Sequence, residues 1–233
     1  MKFETKVLFP LIVATALSAQ ESWFTSFVYT NQFEALTTRD VTANGSFGGG
    51  YLSSMELQKG GNADRTHDLK GIRIGKMYDS WRFYADYGQF QYAKSASDPY
   101  DKNVDGWMLT ANADYLYNLP VFNPASLFIG GSLTVAGAKP EGMDSNPAPG
   151  AGVQAGMIID AYKSENYKIS FEFGYRYLWL NIKSKQTITD PATTAGVQYL
   201  ISQQDPTANV NSILLDAKTT ALKSPYFSVN IAF

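Results

Sequence analysis

Cysteine is absent from the 233 residues. No disulfide framework, thiolate metal site or cysteine nucleophile is therefore available to this chain. Histidine is nearly absent too: His67 stands alone. No apolar run approaches the roughly 18–20 residues that a helix needs to cross a bilayer, which excludes helical insertion except as an export signal. Charge of one sign is lacking as well, with a formal net charge of −2. There is no basic stripe and no acidic tail, so no nucleic-acid partner is expected. Mean hydropathy, at −0.20, has the value of a water-soluble protein. A membrane β-barrel escapes both tests, because its strands need only about 9–11 residues and only alternate residues face lipid. Aromatics, by contrast, are abundant. The 15 Tyr and 14 Phe suit a molecule that places amphipathic rings at two membrane interfaces.

The N-terminus has its own pattern. Lys2 and Lys6 are followed by an apolar stretch from Val7 to Leu17 and then by small Ser18 and Ala19. That is the order of a secretory signal peptide, expected over 1–19, with cleavage after Ser18 or Ala19.

Beyond it, the dominant period is two. From Tyr167 the odd positions read Tyr167, Ile169, Phe171, Phe173, Tyr175, Tyr177 and Trp179, while the even ones include Lys168, Ser170, Glu172, Gly174 and Arg176. Successive strand side chains point to opposite faces, so one face is apolar and aromatic and most of the other is polar or small. Segments 107–117, 127–137, 153–161 and 225–233 repeat the pattern. Segment 81–94 follows it until Gly88, where Phe90 and Tyr92 take over the apolar phase. A bulge is expected there. Long strands, aromatics near strand ends and a charged second face fit a barrel in lipid with a polar interior. They do not fit a dry sandwich core.

Connections alternate between short (Tyr78–Ser80, Asn118–Ala125, Tyr162–Asn166) and long (Lys59–Thr66, Ser95–Asn103, Lys139–Ala148, Lys183 to about Lys223). Short periplasmic turns and longer extracellular loops are the rule for outer-membrane barrels. The expected fold is all-β, an eight-stranded antiparallel up-and-down transmembrane β-barrel over 46–233. Its strands are expected at about 46–58, 67–77, 81–94, 104–117, 126–138, 149–161, 167–182 and 224–233. Residues 20–45 then form an N-terminal periplasmic or interfacial segment, and 183–223 the long last extracellular loop. An alternative makes 22–33 a strand and requires a tenth strand within 183–223. In that loop Asp190-Pro191 and Asp205-Pro206 mark turns.

With these strands and the ending Tyr226-Phe227-Ser228-Val229-Asn230-Ile231-Ala232-Phe233, the chain resembles the small outer-membrane barrels grouped with the OmpA membrane domain, OmpX and the opacity proteins. The resemblance covers residues 46–233. It implies a Gram-negative outer-membrane location, with outer-membrane lipid and lipopolysaccharide as the main partners. It also implies that Phe227, Val229, Ile231 and Phe233 are the signal read by the barrel-assembly machinery, and that an extracellular ligand or host surface meets the loops.

Two sets of candidate residues follow. The aromatic girdles are Trp81, Phe83, Tyr115, Tyr117, Tyr162 and Tyr167 at one end, with Trp107, Tyr175, Tyr177 and Trp179 towards the other. The inward charges are Glu56, Arg73, Arg82, Asp86, Asp114, Asp160, Lys168, Glu172 and Arg176, of both signs. In a lumen just wide enough for side chains they are expected to pair and close it. A gated pore, in which a pair breaks to admit water, is the sharper alternative. Small barrels that act on lipid A use a His with Ser or acidic partners. Here Leu69 stands where a His-x-Ser pairing needs its serine, so no enzyme is expected on His67. Asp101, Asn103 and Asp105 with Gly106 match the first half of a calcium loop, but Asn112 replaces its final Glu, which makes the site a weak metal candidate. Gly48-Gly49-Gly50 lacks the Lys-Ser/Thr of a phosphate loop and is read as strand glycines leaving room for a bulky neighbour. No cofactor is expected. The leading function is structural and surface-interacting through the loops, with a narrow pore for small solutes second.

Overall fold

The computed structural model describes residues 22–62, 65–78, 80–92, 104–120, 122, 124–140 and 144–233. The expected signal peptide lies outside them. The elements are β1 (Ser22–Phe47), β2 (Leu52–Asn62), β3 (Arg65–Met77), β4 (Trp81–Tyr92), β5 (Val104–Asn118), β6 (Ala125–Pro140), β7 (Asp144–Ser145), β8 (Ala148–Lys163), β9 (Lys168–Ile188), helix α1 (Pro191–Ser202) and β10 (Asn209–Ala232).

Eight of the strands close into one antiparallel ring in the order β10, β1, β3, β4, β5, β6, β8, β9 and back to β10. Closure matters physically. In lipid an open sheet edge would leave a row of N–H and C=O groups without partners, and a ring has no edge. The last strand meets the first from Phe24↔Ala232 upward, and the Phe233 N–H donates to the Trp23 carbonyl at 2.9 Å. One end of the ring has short turns, tied by Tyr78 N–H to Trp81 O (2.7 Å) and Ser164 N–H to Tyr167 O (2.9 Å). Ser22 and Phe233 lie at that same end, and the long connections lie at the other.

The alternation sorts side chains as expected. Outward-facing Trp81, Phe83, Trp107, Leu109, Tyr115, Ile129, Leu133, Phe171, Phe173, Tyr175 and Trp179 are exposed, while inward Arg82, Asp86, Asp114, Glu172 and Arg176 are buried. An exterior this apolar is the reverse of a water-soluble sheet protein. It is the surface of a transmembrane barrel.

Four expectations need correction. Residues 20–45 are not outside the barrel: Ser22–Phe47 is its first strand, in place of 46–58. Among the described residues no tenth ring strand accompanies it; the short turns stay at one end of the ring, while most of the expected connection Lys59–Thr66 belongs to β2 and β3. The period of two is broken here by β-bulges. Pairing to β3 jumps from Thr30↔Leu69 to Phe33↔His67, one extra residue in β1. Pairing to β10 breaks at the same place, opposite Pro225, which has no N–H to give a ladder. The extra residue flips the inward set from Phe24, Ser26, Val28 and Thr30 to Phe33 and Ala35.

Second, 183–223 is not one loop. It holds the end of β9, α1 and the first half of β10, whose own register shift falls between Thr219 and Ala221. Third, no bulge occurs at Gly88, since the β3–β4 register runs unbroken from Asp68↔Gln91 to Met77↔Arg82. Phe90 is inward like Asp86, and what changes there is the chemistry of the lumen. Fourth, Gly48–Gly50 is not on a strand. It is a turn at the β1–β2 tip, where positive φ at all three residues (57°, 71° and 95°) explains the glycines.

Candidate functional site: a charge network in a closed lumen

The lumen is filled in layers. At the short-turn end Phe24, Tyr84 and Ala232 pack together, next to Val28, Leu116, Phe128, Ile158 and Tyr226. The centre is ionic. Beyond it, towards the long connections, lies a second apolar layer that includes Phe33, Leu69, Phe90, Met108, Leu178, Leu180, Ile182 and Leu222, with the tilted rings of Phe33 and Phe90 4.8 Å apart between centres.

In the ionic layer three arginines meet three carboxylates. Arg73 donates through Nε to Asp86 Oδ1 (2.7 Å) and through Nη1 to Glu172 Oε1 (2.8 Å). Arg82 donates through Nε to Asp114 Oδ2 (2.7 Å), and through Nη1 and Nη2 to the two oxygens of Glu172 (2.6 and 3.0 Å). Arg176 is paired with Asp86 through Nη2 and donates from Nε to Gln154 Oε1 (3.0 Å). Neutral groups fill the remaining lone pairs. Tyr226 and Asn230 donate to Glu172 (2.8 and 3.2 Å), Tyr84 donates to Asp114 (2.9 Å), and the Gln154 amide donates to Asp114 Oδ1 (2.6 Å). The Arg73 guanidinium also lies over the Tyr84 ring, 4.3 Å from its centre.

Arg73, Arg82, Asp114 and Glu172 are at most 1% exposed. The charges cancel, and nearly every donor and acceptor is used. This is the condition under which a buried ionic cluster is tolerated. Room for it comes from glycine on facing strands. A Cβ on Gly130 would collide with Asp114 Oδ1, and one on Gly174 would lie 2.5 Å from Tyr226 Cζ.

Six of the nine residues expected inside, Arg73, Arg82, Asp86, Asp114, Glu172 and Arg176, are thus brought into one network. Lys168 and Asp160 form a separate, half-exposed pair (3.3 Å) at the short-turn end. Glu56 is not in the lumen: it sits on β2, which pairs with β1 above the ring, and faces Lys59 at 3.6 Å in solvent. Tyr84, Gln154, Tyr226 and Asn230 were not anticipated. Their even-numbered places on the inward face were the available signal.

The girdle aromatics lie outward, except that Tyr177 is half-buried against Trp179 with the ring centres 4.9 Å apart. Phe227 packs outward on Phe171 and Phe173. His67 is placed on β3, and its side chain lies outside the described residues, as do Asp101 and Asn103. Asp105 accepts from Gln91 (3.1 Å), and no metal-ligating cluster occurs among the described residues.

A second feature was not legible in advance. Beyond the ring, the upper parts of β1, β9 and β10 continue as a sheet with β2, and α1 packs on one face of it. Val41, Ala43, Phe47, Val197, Ile201, Ala208, Val210, Ile213 and Leu215 form its own core. Asp190 caps α1 by accepting from the Thr193 N–H (2.9 Å), with Pro191 at the first helical position. Asp190-Pro191 is therefore a helix start and not merely a turn. Asp205 accepts from the Gly48 N–H (2.6 Å) and Thr207 from the Gly49 N–H (2.9 Å), tying the β1–β2 tip to the end of α1. These bonds hold both carboxyls below their ordinary range, led by the Thr193 N–H for Asp190 and the Thr207 hydroxyl for Asp205.

No family model matches the chain, and no curated protein does. Among solved structures it is similar to Neisserial surface protein A (14% identity, 92% of this chain and 98% of that one, TM-score 0.46). It is similar to the outer membrane protein OprG from Pseudomonas aeruginosa (12%, 91% and 96%, TM-score 0.46) and to the outer membrane protein AlkL in lipid bilayers (13%, 91% and 93%, TM-score 0.38). At these values the likeness bears on no residue's role. The chain is a closed eight-stranded transmembrane barrel with a plugged lumen.

Proposed function

We propose that this protein is a plugged outer-membrane anchor that holds a sheet-and-helix platform outside the cell for surface interaction. The observation that carries this is the platform's separate hydrophobic core, built on strands of 26, 24 and 21 residues (β1, β10 and β9) where the other ring strands have 12 to 16. Strands that only cross a bilayer need about 9–11 residues. The excess length supports a projecting structure. Its outer surface carries Tyr51 at the hairpin tip and Tyr199 and Leu200 on α1, at 93%, 67% and 68% exposure. Large apolar groups held out in water on a rigid support mark interaction surfaces.

The pore alternative is disfavoured by the lumen. A solute would have to part both the ionic layer and the apolar layer above it. The test uses cells that display the chain from Gln20 onward at their surface, with 189–208 replaced by a short turn in the variant. Adhesion to an epithelial monolayer should fall while the heat-modifiable barrel band is unchanged, and the refolded wild type should carry no steady current. Unchanged adhesion, or a steady current, would overturn the proposal.

A further inference from the structure

The outward face of β9 changes abruptly above Trp179. Up to that level stand Phe171, Phe173, Tyr175 and Trp179, and above it Asn181, Lys183 and Lys185. Lys183 lies directly opposite Lys218 on β10. Both are exposed and share one face. Like charges at directly opposed positions of an antiparallel pair repel and weaken it. The next row shows the ordinary remedy, since Lys185 is opposite Asp216 and paired with it at 3.0 Å. Lys223, nearer the belt, is paired with Glu34 at 3.2 Å. Asp40, next to Asp216 on β1, accepts from the Gly60 N–H. Asp216 and Asp40 are thus already engaged, and among the residues whose side chains are described neither lysine has an acidic partner.

Height identifies what fits between them. Lys183 is four residues beyond Trp179, about 13 Å along the strand and about 10 Å along the barrel axis at an ordinary tilt. Tryptophan sits at the headgroup level, and lysine stems bend back towards it. The two ammonium groups therefore face the headgroups of the leaflet on the platform side. We propose that Lys183 and Lys218 form a site for a phosphate of an outer-leaflet glycolipid headgroup, which bridges the two cations and removes their repulsion. The proposal rests on the outer-membrane placement above.

The test is thermal unfolding, followed by the gel shift of unboiled samples, of the chain from Gln20 onward in nanodiscs of phosphatidylcholine with or without bisphosphorylated lipid A. Saturating lipid A should raise the midpoint of the wild type by about 5–10 °C. K183Q/K218Q should lose at least half of that rise, and K183R/K218R should keep it. In phosphatidylcholine alone K183Q/K218Q should be at least as stable as the wild type, because the repulsion is gone. A full rise in K183Q/K218Q, or an equal rise with dephosphorylated lipid A, would overturn the site. Lower stability of K183Q/K218Q in phosphatidylcholine alone would do the same, by showing that the lysines support the fold. An equal rise from inorganic phosphate would mean a free-anion site and refute the headgroup. Failure of the wild type to give a heat-modifiable band in any lipid would refute the membrane placement itself, and the site with it.

Discussion

Replacing Glu172 by Gln keeps its volume and removes one charge from the centre of the lumen. Glu172 accepts from Arg73, from Arg82 twice, from Tyr226 and from Asn230. After the change three arginines face two carboxylates, Asp86 and Asp114, and an amide N–H₂ is turned towards donors. Leaving a buried charge without its partner costs about 3–5 kcal/mol. The loss should show in guanidinium unfolding of the refolded protein in lipid vesicles, as a lower midpoint with an unchanged slope. The double variant E172Q/R82Q restores neutrality, with Arg73 and Arg176 against Asp86 and Asp114. It should therefore be less destabilised than the sum of the two single variants, by at least about 1 kcal/mol of coupling. An E172Q variant within about 0.5 kcal/mol of the wild type would refute the reasoning, because water in the lumen would then be solvating the charges.

Gly130→Ala should cost about 1–3 kcal/mol in the same unfolding assay, because its Cβ has no room beside Asp114. Gly131→Ala, outward and with only the Gly152 carbonyl at 3.8 Å, should be near neutral. Ile201→Asp, placed in the platform core, should expose the α1 region to added protease while the barrel band stays heat-modifiable. A variant that loses both would show that platform and barrel fold as one unit. Acid should loosen the β1–β2 tip through Asp205. Its carboxyl is depressed in the folded state, so the tie to Gly48 is intact above the ordinary carboxylate value and is lost as pH falls through the depressed one. Protection of the Gly48 amide, its exchange relative to an unstructured amide at the same pH, should fall only in that acid range, and D205N should show the low protection at neutral pH.

Where lipid and lumen impose a strict alternation, the sequence was readable. Arg82, Asp86, Asp114, Glu172 and Arg176 could be assigned inward from parity alone, and strands β3 to β6 and β8 lie within a few residues of expectation, whereas the short β7 falls in an expected loop. The first strand was not legible. The extra residue between Thr30 and Phe33 shifts the apolar phase midway through β1, so neither half is long enough to stand out. β10 was hidden in the same way by its break at Thr219–Ala221. Phe90 shows a different difficulty. An inward face that turns from ionic to apolar looks, in sequence, like a slipped phase. The network's neutral members, Tyr84, Gln154, Tyr226 and Asn230, could be placed on the inward face but not connected, because contacts between distant strands depend on register. The platform required β1, β9 and β10 to be known first, since its core joins Phe47 to Val197 and Ile213.

The central claim is that the aromatic exterior meets lipid. All four tryptophans, Trp23, Trp81, Trp107 and Trp179, lie on the outer surface, 36–51% exposed. The direct measurement is tryptophan fluorescence of the chain from Gln20 onward, refolded into vesicles whose acyl chains carry bromine. The account predicts strong quenching by the brominated chains and weak quenching by acrylamide from the water. Emission that brominated lipid leaves unchanged and acrylamide quenches fully would contradict it, and would mean that these rings face water or another protein surface.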